Sequence, residues 1–405
     1  MKAPRRLQFF LVAFVSSFSA LVYWHLQPQI IAGEGKGWDG LSYYEMYNSF
    51  AGSPHSTNVL YPFCKRIGLP YLAASLPIDP TQSFLYINLT LGFLSILITY
   101  LALRVRFTFA ISFITILPLV FYISSPIRFP NFYPYTVDPP AIFLYSTTLL
   151  ALVHRKYWLS LVLLIISVVF RESGMYFAII LIASLYFTKE IKTKIMIFQT
   201  LLTVSAALIL SLTYFGECSG NQLKVVLASA LMASGSFLAF LKIFAALSLT
   251  LAPFVLVNQK FSLQKIGDLN LVAFSFLLLS TAMGALGGSD TTRIFYVSFP
   301  LYAFFLANLI KESAMSKVLF FALGGMIANS FARRIPEPEQ YLPNNDVTGL
   351  FSLFPDHGHI AISSAIITFW IIYVFIAERI DWKHIDKLLI RNFFVKLKNK
   401  FQEGQ

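Results

Sequence analysis

Charge is what this sequence has least of. Only 12% of its 405 residues are charged, where a soluble domain carries about 25%. Hydrophobic residues make up 57%, and the mean hydropathy is +0.69. That deficit excludes an ordinary soluble domain and predicts a polytopic membrane protein. Cysteine is scarce too. Cys64 and Cys218 show no metal-ligand spacing and are too few for a disulfide framework. They can pair or be two unrelated thiols, and unrelated thiols are the expectation, because a pairing cannot be read from spacing. No Walker A loop, GxSxG, HExxH or dinucleotide fingerprint is present, so ATP hydrolysis, serine-hydrolase and zinc-protease chemistry have no support. Without a repeat, low-complexity tract or soluble stretch, residues 1–405 read as one integral-membrane domain.

What is present is a series of apolar runs. Crossing the hydrocarbon takes about 20 apolar residues. Candidate spans fall at 8–27, 84–104, 107–125, 139–153, 157–170, 173–187, 195–215, 237–257, 270–287, 294–310, 317–332 and 358–377, about twelve in all. They predict an all-α transmembrane bundle. The basic start and apolar run of the N-terminus read as a retained signal anchor, because no clear small-x-small cleavage site follows. Residues 224–236 are also apolar and read as an interfacial or re-entrant helix. Every second gap is basic, for example Arg104 and Arg106, His154 to Lys156, and Lys189, Lys192 and Lys194. The tail at 378–405 is basic as well. These gaps and both termini are expected in the cytoplasm by the positive-inside rule. The same rule accounts for the net charge of +12, so no nucleic-acid partner is expected.

The other gaps mix acids and bases and are expected outside. The first of them, 28–83, is long, and long loops in compact proteins are often functional. It opens with GWDGLSYYEM, which carries Trp38, Asp39, Tyr43, Tyr44 and Glu45. From Tyr43, apolar residues recur at Met46, Tyr47 and Phe50, the period of an amphipathic helix lying apolar side down on the membrane surface. Asp39, just ahead of it, suits a helix cap or a general base. Lys65 and Arg66 run against the positive-inside trend; they suit a phosphate or snorkelling interfacial side chains. Arg171 and Glu172 sit in the middle of a 31-residue hairpin, 157–187, too short for two full spans. They read as an ion pair capping the next helix or as charges lining a polar cavity. Asp138 before Pro139 and Pro140 suits a helix start. Asp290 and Arg293 lie one turn apart, with Arg293 a second phosphate candidate. His357 and His359 beside Asp356 are only a weak metal signal, and no metal site is assigned.

Together these residues resemble the GT-C superfamily of integral-membrane glycosyltransferases, in layout over most of the chain. Asp39 occupies the place of that family's catalytic acid in the first non-cytoplasmic loop. Trp38-Asp39 is similar to the mannosyltransferases of the glycolipid-anchor pathway, and YPFCKR, RES at 171–173 and TTR at 291–293 look like short motifs of bacterial members. The family's acidic doublet in that loop is missing here, as is a large C-terminal soluble domain. The resemblance implies transfer of a sugar from a polyprenyl-phosphate-type donor to a glycan, lipid or protein acceptor. Asp39 would be the base, Lys65, Arg66, Arg171 and Arg293 would bind the lipid phosphate, and Glu172 would orient an arginine. A monophosphate donor needs only cationic side chains, whereas a diphosphate would favour a divalent ion; no cofactor is otherwise implied. The expected setting is the lipid bilayer of a bacterial inner membrane. A surface-polysaccharide polymerase or ligase would place its arginines in large later loops, and a lipid or glycan transporter would show broken helices in paired halves. A structural scaffold would need none of the outer charges.

Overall fold

The protein is described here from a computed structural model, over residues 4–26, 29–31, 33–53, 58–122, 124–212, 217–219, 237–257, 268–286, 291–311, 313–331, 357–382 and 384–386. Among the described residues, the regular structure is helical apart from two three-residue strands. Helix α1 (Arg5–Leu26) is followed within the first long loop by α2 (Gly37–Phe50) and α3 (Gly68–Ala74). Next come α4 (Pro80–Arg104), α5 (Phe109–Phe121), the single turn α6 (Phe129–Phe132), α7 (Asp138–Val153), α8 (Tyr157–Ser167), α9 (Ser173–Phe187) and α10 (Thr193–Leu212). The remainder is α11 (Phe237–Val255), α12 (Asp268–Leu286), α13 (Thr291–Val297), α14 (Phe299–Lys311), α15 (Met315–Phe331) and α16 (His357–Glu378). Within these, Arg5–Leu26, Pro80–Arg104 and Asp268–Ala285 are long and apolar enough to cross a membrane, and nine further apolar helices run to 10–17 described residues. Among the described residues, each of the twelve candidate spans overlaps one of them, while the apolar stretch 224–236 lies outside the described residues.

Local chemistry sets several boundaries. Asp79 caps α4 by accepting from the Gln82 amide at 3.1 Å, with Pro80 at the first helical position, where its missing N–H costs nothing. Thr108 likewise caps α5. The segment 294–310 is not one helix. It breaks at Ser298, two residues before Pro300, whose ring clashes with the preceding turn. The Phe295 carbonyl beside the break accepts from the Ser298 hydroxyl at 3.0 Å and from the Tyr302 hydroxyl at 3.3 Å.

Small residues allow the helices to pack closely. Helix α4 packs along α7, with Thr99 Oγ1 donating to Ser146 Oγ at 3.0 Å. A Cβ on Gly92 would fall 2.2 Å from the Pro126 carbonyl oxygen, and one on Gly174 would fall 2.0 Å from Ser167 Oγ, so the α8–α9 hairpin closes only on glycine.

Contacts sort the connections into two groups, as a bundle of alternately directed helices requires. At one end the first long loop meets the segment before α7, the α8–α9 apex and the start of α13. Strand Asn58–Leu60 pairs in parallel with Glu217–Ser219, Val59 opposite Cys218, and joins the segment after α10 to the same end. Cys64 and Cys218 form a disulfide with Cα atoms 5.7 Å apart, which overturns the expectation of unrelated thiols. At the other end Arg104 donates to Gln8 at 3.1 Å, and Arg106, Arg155, Glu190, Asp268 and Lys311 surround one cavity. Among the described residues, the mixed-charge gaps around Asp39, Arg66, Asp138, Arg171 and Arg293 gather at one end, and the basic gaps at Arg104 to Arg106, Arg155, Lys189 to Glu190 and Lys311 lie at the other.

Helix α2 forms where the periodicity places it, but its apolar side is not laid on a membrane surface. Tyr43, Met46 and Tyr47 are buried in the protein core, and only Phe50 is exposed. Tyr43 meets Phe63 edge to face, and Tyr47 packs on Phe84 of α4. Residues 224–236, Asp290, Asp356, most of the last outer loop and of the tail, and the side chains of Trp38, His357 and His359 lie outside the described residues.

Candidate functional site

The mixed-charge end holds a buried network of three carboxylates and three guanidinium groups. Asp39 lies in the first turn of α2, after the N-cap residue Lys36. It is not a cap, since its carboxylate faces other elements. Tyr133 Oη donates to Asp39 Oδ1 at 2.6 Å, and Arg293 Nη2 stands 3.7 Å from Oδ2. Arg293 reaches the second acid as well, with Nε 3.2 Å from Asp138 Oδ2, and its guanidinium lies over the Phe129 ring at 5.6 Å. The other Asp138 oxygen accepts from Arg171 Nη1. Asp138 is therefore compensated by two arginines. Asp39 has a neutral phenol on one oxygen and a loose ion pair on the other.

Arg66 forms the second half of the network. Its Nε and Nη2 donate to the two Glu172 oxygens at 2.9 and 2.7 Å, and its Nη1 donates to Tyr43 Oη at 3.2 Å. Bidentate pairing of this kind fixes orientation as well as charge. Arg171 and Glu172 do not pair with each other, which corrects the reading of them as a capping ion pair. Adjacent residues at the hairpin apex point apart, Arg171 to Asp138 and Glu172 to Arg66. Arg293 likewise pairs with Asp39 and Asp138 from two other segments.

Burial alone would raise the Glu172 carboxyl, but the Arg66 guanidinium more than offsets it and holds the group at about 2. Burial also opposes the Arg66 charge, and Glu172 with Tyr43 restores it well above the ordinary value. Tyr133 is pushed well above the ordinary phenol range by burial, and further by the Asp39 carboxylate beside it. It therefore stays neutral and donates. Tyr43 is raised for the same first reason, with Arg66 pulling the other way.

Two glycines bring α2 against Tyr133. A Cβ on Gly40 would lie 2.8 Å from Tyr133 Oη and 2.9 Å from Tyr135 Cβ; one on Gly37, at φ +58°, would lie 3.1 Å from the Tyr133 ring. The Tyr133 segment is itself held by Asn88 of α4, whose amide donates to the carbonyls of Pro134 and Thr136 at 2.8 and 2.7 Å.

Of the residues singled out in the sequence, Asp39, Arg66, Asp138, Arg171, Glu172, Arg293 and Tyr43 come together. Lys65 is half-buried beside them. Tyr44 meets Tyr135 edge to face and carries Lys36 over its ring. Glu45 is half-buried on α2. Tyr133 was not singled out; its one signal is the run YPYTVDPP, which sets it five residues ahead of an acid. Among the described residues no group of three or more His, Cys, Asp or Glu side chains could hold a metal. No protein-family model matches the chain, and neither do any curated protein or solved structure.

Proposed function

We propose that this protein is a GT-C-like membrane glycosyltransferase with about twelve spans, both termini in the cytoplasm, and its reaction on the outer face of a bacterial inner membrane. One observation carries the reading: Asp39, the least compensated carboxylate of the network, faces Arg293 among further arginines at the mixed-charge end. Ionisable groups buried in a membrane bundle are costly and usually functional. The disulfide supports the orientation, because such bonds persist on the oxidising side of a membrane.

An acceptor hydroxyl attacks the anomeric carbon of the lipid-linked sugar, and its proton passes to Asp39. The bond from that carbon to the phosphate oxygen breaks, and the polyprenyl phosphate leaves with the electron pair. Arg293 is placed to meet that charge, since its 3.7 Å approach to Asp39 is loose enough to exchange for a phosphate oxygen. Asp138 holds Arg171 and Arg293 in place, and Glu172 does the same for Arg66. The protein positions and neutralises more than it activates. The experiment is the mass of surface glycans in cells lacking the protein, complemented with wild type or Asp39→Asn at equal membrane levels. Loss of one sugar, restored by wild type alone, is the expected result; an unchanged glycan in the deletion would end this reading.

A further inference from the structure

The end of the bundle away from Asp39 holds a cavity of about 500 Å³ that sugar transfer does not use. Its floor is apolar, with Phe107 and Phe304 buried and their rings 5.0 Å apart. Its rim carries both signs of charge: Arg106, Arg155 and Lys311 against Glu190 and Asp268. Among the described residues no salt bridge joins any of these five, although they surround one opening.

The rim backbone is unusual in the same way twice. Helices α7 and α9 both end in a left-handed residue that is not glycine, Arg155 at φ 56° and Lys189 at φ 59°. Each turn is closed by a matching hydrogen bond, Lys156 N to the Ala151 carbonyl at 2.8 Å and Glu190 N to the Leu185 carbonyl at 3.0 Å. That position usually falls to glycine, and a side chain there is held at a conformational cost. Complementing helix dipoles explains the cations; Glu190, an acid placed just beyond a helix C-terminus where the dipole disfavours it, is met among the described residues by the Tyr157 hydroxyl of the same lining and by no cation of the rim.

A ligand for this rim must carry both charges close together and an apolar tail. Glu190 and Asp268 would repel a polyanion such as a nucleotide, and the three cations would repel a simple amine. We infer that the cavity binds the phosphoethanolamine headgroup of a phospholipid from the adjacent leaflet. The phosphate sits on Arg155, Lys311 and Arg106, the ammonium on Glu190 and Asp268, and the first acyl carbons on the aromatic floor. This inference stands apart from the sugar-transfer reading and survives its failure.

Native mass spectrometry of the full chain released from detergent micelles tests it. The probes are dioleoyl phosphatidylethanolamine, the matching phosphatidylglycerol and the tail-free glycerophosphoethanolamine. Wild type should retain the ethanolamine lipid over the glycerol lipid by about tenfold, and a tenfold excess of the tail-free headgroup should not displace it. Glu190→Gln with Asp268→Asn should abolish that preference, and Arg155→Gln with Lys311→Gln should lower retention of both lipids by about fivefold to tenfold. Equal retention of the two lipids by wild type would overturn the inference, without reference to any variant. So would displacement by the tail-free headgroup, or variants that bind as wild type does.

Discussion

Gly40→Ala would test how tightly the proposed base is held, through a methyl group that touches no reacting atom. The new Cβ would stand 2.8 Å from Tyr133 Oη and 2.9 Å from Tyr135 Cβ, against an ordinary contact of about 3.5 Å or more. Tyr135 cannot yield easily, since the contact is close to its backbone and its ring is packed on Phe84 at 4.8 Å. Tyr133 must therefore shift by about 0.7 Å, which stretches its 2.6 Å bond to Asp39 to about 3.3 Å, past the range of about 2.5–3.0 Å for a good O–H···O bond. A hydrogen bond to a charged group is worth about 1.5–3 kcal/mol. If that bond holds Asp39 in its reacting position, transfer slows by about 10-fold to 150-fold. Overpacking alone costs about 1–3 kcal/mol of stability, so thermal denaturation of the purified protein is read beside transfer rate in membranes at matched protein levels. Tyr133→Phe should give the same loss of rate with a smaller loss of stability. In that background Gly40→Ala should cost little further rate, because the bond it breaks is already gone. Additive losses, or full activity in Gly40→Ala, would refute the argument.

Three further outcomes follow from the network. Asp138→Asn leaves Arg171 buried without its anion and should cost about 3–5 kcal/mol, read as lost thermal stability; adding Arg171→Gln should recover part of it. Glu172 is depressed from 4.5 to about 2, so its pairing stabilises the fold fully above its ordinary value and is lost as pH falls from about 4.5 through about 2. The stability advantage of wild type over Glu172→Gln should hold at neutral pH and narrow at pH 3, by an amount that screening of its 24% exposed side chain reduces; an advantage that widens on acidification would contradict the pairing. Cys64 and Cys218 should resist an impermeant maleimide in intact cells until a reductant is added, and labelling without reductant would exclude the disulfide.

The sequence was most legible where information is local. Apolar runs located most of the long described helices, and Tyr43, Met46, Tyr47 and Phe50 predicted α2 from spacing alone. What the spacing could not say is whether that face meets lipid or protein, since both present apolar surface; here Phe63 and Phe84 cover it. Adjacency misled at Arg171 and Glu172, whose partners are 33 and 106 residues away. Tyr133 lies 94 residues from Asp39, and nothing local marks a tyrosine as a donor to a distant acid. The cysteines are separated by 154 residues and carry no spacing signal. A single proline, Pro300, was readable as a helix breaker and was absorbed into a long apolar run.

The most direct test is polyprenyl phosphate release by the purified protein, supplied with a panel of polyprenyl-phosphate sugars and cell-envelope acceptors, comparing wild type with Asp39→Asn. Release by wild type and a loss of about 10²-fold to 10⁴-fold in the variant, the usual contribution of a general base, is the predicted result. Release by Asp39→Asn at the wild-type rate would contradict the account.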